Sequence, residues 1–449
     1  MTRSMTRRDA LSASLGLFGT ALAPAVVARA RAAQPRASAA DRVRLGVIGC
    51  NGMGFSDLSA CLKVKGVECT ALCDVDQSVL DRRSREVEEM TDRRPALHSD
   101  YRALLDRSDV DAVILGTPDH WHCLQMIDAC QAGKHVYVEK SMAHSVEESE
   151  LMVRAAEHYG RVVQVGQWQR SGTHWADAVE FVQSGKLGRI RQVKTWAFMD
   201  RTSGVTPVAD SPAPAGVDYD AWLGPRPQRP FNRNRFHFDF RWYWDYAGGL
   251  MTDWGVHLLD IALWAMKAES PRRVVSLGGA HAYPGSAIET PDTQQAIYEY
   301  DGFSLVWEHA MGIGLGPFQR AHGVAFVGNN GTLVVDRGKW EIYPEVRKVD
   351  RKPSGHRMKS VPVQEAKPSA RGLLQHTANF IDGIRTGAKQ ACDPKTASLA
   401  AVNAQLGNLA FRSGQSVVWD GDKGECVGND VANALLKLDY RKPWSLPTF

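Results

Sequence analysis

Three side chains of this sequence, Lys140, Asp253 and His257, are of types that can move protons. Lys140 closely follows the apolar stretch 136–138, so a strand there places its ammonium at the carboxyl edge of a sheet. Partial burial at such an edge lowers the pKa of a lysine and lets it exchange protons near neutral pH. Asp253 and His257 are four residues apart, which puts both on one face of a helix predicted over 250–266. A carboxylate beside an imidazole fixes its tautomer and supports its protonated form, which suits a general base.

Other interpretations of the second pair stay open. Asp253 could be a charge near a helix N-terminus, with His257 a core residue whose hydrogen bonds are satisfied. The two could instead bind a metal ion, although no third ligand stands at a convincing spacing. The eight cysteines show no metal-binding spacing either and are expected to be core thiols, with a disulfide between Cys392 and Cys426 as the alternative.

A glycine-rich turn between two strands gives the clearest indication of a cofactor. Residues 43–48 form an apolar strand, residues 49–54 a turn with three glycines, and a helical run leads to strand 67–73, which is followed by Asp74. Glycines let such a turn approach a pyrophosphate, the helix start offers N–H groups to its oxygens, and the acid binds the adenosine ribose. The unit therefore predicts a bound dinucleotide, and hence hydride chemistry.

The residues around this turn indicate which dinucleotide binds. Asn51 occupies the usual middle glycine position, and asparagine is the other residue type that best tolerates a left-handed backbone. Asp74 and Asp76 stand where a 2′-phosphate would lie, and their negative charge favours NAD. Arg82 and Arg83 follow closely and leave NADP open.

Further cofactor contacts are expected at the carboxyl ends of later strands, where ligands bind in doubly wound sheets. Thr117 and Pro118 form a turn that can lie against a nicotinamide ring, and His122 begins or caps the next helix. The predicted cofactor-binding residues are Gly49, Asn51, Gly52, Met53, Gly54, Asp74, Thr117, Pro118, His122, Glu139 and Lys140.

The alternation of strands and helices predicts an α/β protein of two domains. Residues 40–166 are expected to form a Rossmann domain, a doubly wound parallel sheet that binds NAD or NADP. Residues 167–449 are expected to form the second domain, whose alternating apolar stretches indicate an antiparallel meander. Helices in this part are predicted over 175–184, 250–266, 372–386 and 395–413.

The first 33 residues predict an export signal of the twin-arginine type. Arg7 and Arg8 precede an apolar run over 10–27, and Ala-x-Ala cleavage sites follow it. The run contains glycine, serine, threonine and proline and is a poor membrane span, so a periplasmic or otherwise exported protein without a span is expected. The chain carries a net charge of +4, and residues 1–33 hold five arginines against one aspartate. The remainder is therefore near neutral, which argues against a nucleic-acid partner.

These motifs come in the order seen in the Gfo/Idh/MocA oxidoreductases, a family that includes glucose–fructose oxidoreductase and inositol dehydrogenase. The resemblance rests on the glycine turn, on Thr117-Pro118 with His122, on Glu139-Lys140, and on Gly249 with Asp253, His257 and Asp260. It implies a Rossmann domain followed by a C-terminal α/β domain with an open, mostly antiparallel sheet. It also implies NAD(P)-linked oxidation of a sugar or polyol hydroxyl, with catalytic roles at Lys140, Asp253 and His257. The family usually has proline after the Glu-Lys pair, where this chain has Ser141.

The sequence thus predicts an exported NAD(P)-dependent oxidoreductase that moves hydride between nicotinamide and a carbon of a sugar, glycoside or polyol. His257 would take the hydroxyl proton, and Lys140 would hold the developing alkoxide. A second candidate is an NAD-dependent glycosidase that acts by oxidation, elimination and reduction. A third is a sugar-binding protein that retains a structural dinucleotide.

Substrate contacts are predicted at Trp168, Arg235, Trp244, Asp253 and His257. Arg235 and Trp244 belong to an aromatic and arginine-rich loop over 231–246, which could stack on sugar faces or instead form core and subunit contacts. A homo-oligomer, either a dimer or a tetramer, is expected to form through the open sheet.

Overall fold

The computed structural model describes residues 42–201, 203–367 and 372–449. The predicted export signal over 1–33 lies outside these residues. Within the described ranges, no helix combines the length and the apolar character that crossing a membrane requires.

A six-stranded parallel sheet with helices between its strands forms the N-terminal half. Its strands are β1 (Val43–Ile48), β2 (Val67–Cys73), β3 (Ala96–His98), β4 (Ala112–Leu115), β5 (His135–Val138) and β6 (Val163–Val165), in the spatial order β3-β2-β1-β4-β5-β6. Its helices are α1 (Gly52–Cys61), α2 (Gln77–Thr91), α3 (Tyr101–Leu105), α4 (Asp119–Gln131) and α5 (Val146–Tyr159). This arrangement confirms the predicted doubly wound α/β fold.

Local sequence explains how this sheet forms and where it binds ligands. β1 and β4 are buried along nearly their whole length, as central parallel strands covered by helices on both faces are. The sequence predicts β1 and β2 with the observed bounds but misses β3, because three residues carry no periodic pattern. The strand order reverses between β1 and β4, and ligands bind in the crevice at such a reversal.

The C-terminal half is built on a ten-stranded mixed sheet. Its strands are β7 (Ile190–Met199), β8 (Arg273–Gly279), β9 (Thr293–Tyr300), β10 (Phe303–Met311), β11 (His322–Gly328), β12 (Gly331–Val335), β13 (Lys339–Pro344), β16 (Gln364–Glu365), β17 (Val417–Asp420) and β18 (Glu425–Cys426). A separate hairpin is formed by β14 (Val346–Val349) and β15 (Lys352–His356). The order of the large sheet is β16-β13-β12-β11-β7-β10-β9-β8-β17-β18.

The predicted antiparallel meander is wrong at one point in this sheet. β7 lies between β11 and β10 and runs parallel to β10, whereas its pairing with β11 is antiparallel. Helices and two strands separate β7 from β10 along the chain, and only such a long connection permits a parallel pair. The other pairs of the sheet are antiparallel, so the mostly antiparallel character is confirmed.

Seven helices of the described C-terminal half complete the fold. They are α6 (Thr173–Gln183), α7 (Tyr219–Leu223), α8 (Gly249–Asp253), α9 (Gly255–Met266), α10 (Leu373–Thr386), α11 (Pro394–Ser413) and α12 (Asp430–Ala434). The single helix predicted over 250–266 is therefore two helices, with the break at Trp254. α9 and α11 pack against the large sheet, and the alternate side chains of β8 and β9 leave Val275, Leu277 and Ile297 exposed.

Candidate functional site

A cleft of about 360 Å³ opens at the carboxyl edge of the N-terminal sheet. Predicted cofactor residues line one wall: Gly49, Asn51, Gly52, Met53, Asp74, Thr117, Pro118, Glu139 and Lys140. The opposite wall comes largely from the C-terminal half and includes Trp222, His237, Phe238, Phe240, Arg241 and Trp444. The reversal point of the parallel sheet is therefore enclosed by both halves of the protein.

The glycine turn lies against the loop after β4 with no room for side chains. A Cβ on Gly49 would lie 2.6 Å from the carbonyl carbon of Gly116, and Gly49 has a φ of +81°. A Cβ on Gly54 would collide with the carbonyl oxygen of Gly49. Gly54 thus packs α1 against the turn and does not itself line the cleft.

Asn51 differs from the expectation for its position. Its backbone is extended, with a φ of −94°, and the left-handed residues of the turn are Gly49 and Gly52. The Asn51 side chain accepts hydrogen bonds from Arg82 and Arg83 at 3.1 and 3.2 Å and does not cap α1. Without a side-chain cap, the first N–H groups of α1 stay available for a phosphate group.

Asp74 and Asp76 lie near the end of the cleft where the adenosine ribose is expected to bind. Asp74 accepts hydrogen bonds from the backbone N–H of Cys50 at 2.9 Å and of Asp76 at 3.1 Å, while burial raises the pKa of its carboxyl. Asp76 lies 2.9 Å from Nε2 of His237, a residue of the C-terminal half. Burial opposes ionisation of Asp76, but hydrogen bonds from Ser78 and His237 outweigh it and lower the pKa.

Lys140 and Asp253 meet at the other end of the cleft. Lys140 Nζ donates to Asp253 Oδ1 at 2.5 Å and to its backbone oxygen at 3.1 Å. Arg241 Nε donates to the same carboxylate oxygen at 3.0 Å. Burial alone would raise the pKa of Asp253, but these two cations hold it well below its usual range. Both cations contact Oδ1 of Asp253, and no hydrogen bond joins its carboxylate to His257 among the described residues.

His257 is placed differently from the sequence prediction. It lies on α9, after the break at Trp254, and its ring centroid is 6.3 Å from those of Trp168 and Trp254. Only 5% of the residue is exposed, and Nδ1 is buried without a hydrogen-bond partner among the described residues. Burial, together with the charges of Lys140 and Arg337, lowers the pKa well below 6.5, so the imidazole is neutral at neutral pH. The charge of Asp253 favours the protonated form, but burial and the two cations outweigh it.

Arg337 is a site residue that the sequence analysis missed. Its guanidinium lies 4.7 Å from the ring centre of Trp168 and 4.5 Å from that of Trp254, so it stands between the same two rings as His257. Gln169 accepts from Arg337 Nε at 3.0 Å and donates to the backbone oxygen of His257 at 3.1 Å. No motif surrounds Arg337, and only the fold brings the end of β12 to α9.

Asp119 also borders the cleft and was missed, because an acid in the first turn of a helix is ordinarily a favourable partner of the helix dipole. Burial raises the pKa of Asp119 to about 7 against the opposing charges of Lys140 and Arg241. Burial likewise raises the pKa of Glu139 to about 7, with Lys140 opposing it. Both carboxyls can thus exchange a proton near neutral pH.

His122, Arg235 and Trp244 are among the predicted site residues that do not line the cleft, and each is engaged elsewhere. His122 is buried, with its ring nitrogens 2.7 Å from the Ser141 oxygen and 2.8 Å from the Thr117 oxygen, and it donates to one of them because burial keeps it neutral. Arg235 is buried and donates to the oxygens of Pro230 and Asp210. Trp244 donates from Nε1 to the Glu289 oxygen and stacks with Phe411 and Arg412.

Comparison with protein families gives matches over both halves of the chain. Residues 43–167 match the GFO_IDH_MocA model, described as oxidoreductase family, NAD-binding Rossmann fold. Residues 163–306 match the model of the oxidoreductase family C-terminal alpha/beta domain. The chain belongs to the Gfo/Idh/MocA family of oxidoreductases. Its glycine turn, the uncapped start of α1 and Asp74 fit the NAD that this Rossmann fold binds.

Curated relatives resemble part of the chain. A glycosyl hydrolase family 109 protein of Shewanella sp. strain ANA-3 is 34% identical over 152 residues, and an alpha-N-acetylgalactosaminidase of Shewanella oneidensis is 33% identical over 152 residues. Each alignment covers 33% of this chain and 33% of the relative. The chain thus matches only about a third of the length of these relatives.

Solved structures resemble nearly all of the described fold. The WlbA dehydrogenase of Chromobacterium violaceum, in complex with NADH and UDP-GlcNAcA, has a TM-score of 0.62 at 20% identity, covering 85% of this chain and 97% of that one. A levoglucosan dehydrogenase in complex with NADH and levoglucosan has a TM-score of 0.63 at 16% identity, covering 84% and 100%. At these identities the likeness concerns the fold alone.

Proposed function

We propose that this protein is an NAD-dependent oxidoreductase that transfers hydride between nicotinamide and a CH–OH carbon of a sugar or glycoside. The observation that carries the proposal is the pairing of Lys140, which lines the dinucleotide cleft, with Asp253, near a neutral, buried His257 whose pKa both charges influence. Family membership and the sugar ligands of the structural neighbours support it.

Each side chain has a distinct role in the proposed reaction. Bound NAD supplies the hydride acceptor. His257 is neutral, and with Nδ1 buried, Nε2 is the nitrogen left to accept the hydroxyl proton of the substrate. Lys140 donates a hydrogen bond to the same oxygen as negative charge develops on it. Asp253 positions the Lys140 ammonium, and Arg241 holds Asp253 in place.

A second candidate is a glycosidase that uses the same oxidation reversibly. The glycosyl hydrolase family 109 relatives favour it, because they are 33–34% identical to this chain over about a third of their length. Oxidation of a ring carbon acidifies the neighbouring C–H, which permits elimination of the aglycone with formation of a carbon–carbon double bond. Water then adds to that double bond, and the hydride returns to the oxidised carbon. Such an enzyme leaves its NAD in the same redox state after each turnover.

Product analysis without added NAD separates these candidates. The purified protein, with whatever nucleotide it retains, is incubated with a panel of glycosides, and the products are resolved by mass. We expect a keto-sugar together with an equal amount of NADH. Free aglycone with unchanged NAD would instead assign the glycosidase reaction, and neither product would refute both and leave a sugar-binding protein.

We also propose that the protein is exported through the twin-arginine pathway. The described cysteines support this, because all eight are buried free thiols that can be enclosed before a folded protein crosses the membrane. Fractionation of cells expressing the full chain and its Arg7→Lys, Arg8→Lys variant tests it. Equal distribution of the two forms between the fractions would exclude the pathway.

The exposed face of β8 and β9 supports a homo-oligomer. Val275, Leu277 and Ile297 form an apolar patch on it, and Leu277 is 81% exposed. We expect Leu277→Glu to shift the protein to monomer in light scattering, whereas Leu374→Glu, an exposed position on α10, should leave the oligomer intact. An unchanged mass for Leu277→Glu would place the contact elsewhere.

A further inference from the structure

Within the part of the chain that the structure describes, the guanidinium of Arg337 has no counter-ion of its own. The rings of Trp168 and Trp254 both lie within 5 Å of its central carbon, at 4.7 and 4.5 Å, and its Nε donates to Gln169 Oε1. Among the described residues, no carboxylate lies within ion-pair distance of it. Its sequence neighbour Asp336 binds Arg320 at 3.0 Å and the backbone N–H of Lys339 at 2.9 Å instead.

A largely buried guanidinium without a counter-ion lowers the stability of the folded protein. Burial lowers the pKa of Arg337 to about 10, because the charged form loses hydration. Asp253 attracts it electrostatically but is already bound by Lys140 and Arg241. A cation that only braced two tryptophan rings could be replaced by an apolar side chain without this cost.

Arg337 lies close enough to the proposed base for its charge to lower the pKa of His257. Gln169 connects Arg337 to the backbone of His257, and both side chains stand between Trp168 and Trp254. Nε is occupied by Gln169, whereas the two Nη groups have no hydrogen-bond partner among the described residues and remain to bind a ligand. Two coplanar N–H groups match the two oxygens of a carboxylate.

We propose that Arg337 binds a carboxylate carried by the substrate, so that the protein acts on acidic sugars such as uronic acids or their glycosides. This inference rests on the proposed function, since it assumes that the sugar reacts beside His257. Trp168 and Trp254 then hold the guanidinium plane in position, and the carboxylate supplies the missing counter-ion. A phosphate ester shares the anionic chemistry and is tested separately.

Direct binding to the NADH-loaded protein tests the proposal without turnover. Calorimetry compares methyl glucuronide with methyl glucoside, methyl galacturonide with methyl galactoside, and glucose 6-phosphate with glucose. We expect the acid of at least one uronide pair to bind about tenfold or more tightly than its neutral partner. Arg337→Met should remove this preference, while Arg337→Lys, which keeps the charge without the planar fork, should retain part of it.

The control is Arg347→Met, an exposed position on the β14–β15 hairpin, which should leave the preference unchanged. Equal affinity within both uronide pairs, or a preference that survives Arg337→Met, would overturn the proposal. A stronger, Arg337-dependent preference for the phosphate ester would overturn the carboxylate in favour of phosphate. If Arg337→Met does not fold, Arg337→Lys provides the test. A full uronide preference in Arg337→Lys would contradict the proposed recognition of the carboxylate by the planar guanidinium.

The failure of this inference differs from the failure of the proposed function. An Arg337-dependent uronide preference with neither keto-sugar nor aglycone formed would refute the redox reaction and leave the carboxylate site. If neutral glycosides gave keto-sugar or aglycone and no uronide were preferred, the carboxylate site would be refuted and the redox reaction would stand.

Discussion

Replacing Lys140 with methionine is expected to lower kcat by about a thousandfold while the protein keeps its bound NAD. Lys140 supplies the ammonium nearest to the proposed reacting oxygen, and methionine fills similar space without charge. The fold should survive, because Asp253 still pairs with Arg241 at 3.0 Å and is not left as an isolated buried charge. Single-turnover rates and the nucleotide content of the purified variant measure the two parts of this prediction.

A lysine-to-methionine substitution away from the cleft is the control for Lys140→Met. Lys63→Met removes an exposed lysine after α1 and should leave both rate and nucleotide content unchanged. If Lys140→Met retained full activity, Lys140 would have no part in the reaction. If it lost NAD together with activity, its role would be to hold the cofactor and not to stabilise the oxygen.

The nucleotide-binding unit could be predicted from the sequence because its determinants are local. The apolar strand, the glycine turn and Asp74 follow one another within 32 residues of chain, and the pattern of each strand marks its bounds. The same holds for α11, which is predicted over 395–413 and observed over Pro394–Ser413. Position alone also indicated that Lys140 would stand at the edge of the sheet.

The side-chain partners within the site could not be predicted, because they depend on contacts between distant segments. A spacing of four placed Asp253 beside His257, but the helix breaks at Trp254 and the Asp253 carboxylate turns to Lys140 and Arg241. Arg337 reaches the site only through the pairing of β12 in the large sheet. The parallel pair of β7 and β10 escaped prediction for the same reason, since nothing local distinguishes it from a meander.

The second large effect is expected at Gly54, where alanine should abolish NAD retention. The added Cβ would collide with the carbonyl oxygen of Gly49 and lie 3.2 Å from the Cα of Gly116. All of these are backbone atoms and cannot rotate away, so α1 must move off the turn. Its first N–H groups then no longer face the phosphate position, and we expect purified Gly54→Ala to contain no measurable nucleotide and to unfold at a lower temperature.

Two other glycines separate this clash from the general effects of adding a methyl group. Gly285→Ala meets no atom within 4 Å and should retain NAD and thermal stability. Gly160→Ala, after α5 and outside the cleft lining, also meets no atom but has a φ of +58°, so backbone strain of about 1 kcal/mol should lower stability while the NAD is kept. Stoichiometric NAD in Gly54→Ala would contradict the prediction, because the phosphate position would then tolerate a displaced helix. Loss of NAD in all three would mean that general destabilisation, and not the approach of α1 to the turn, controls retention.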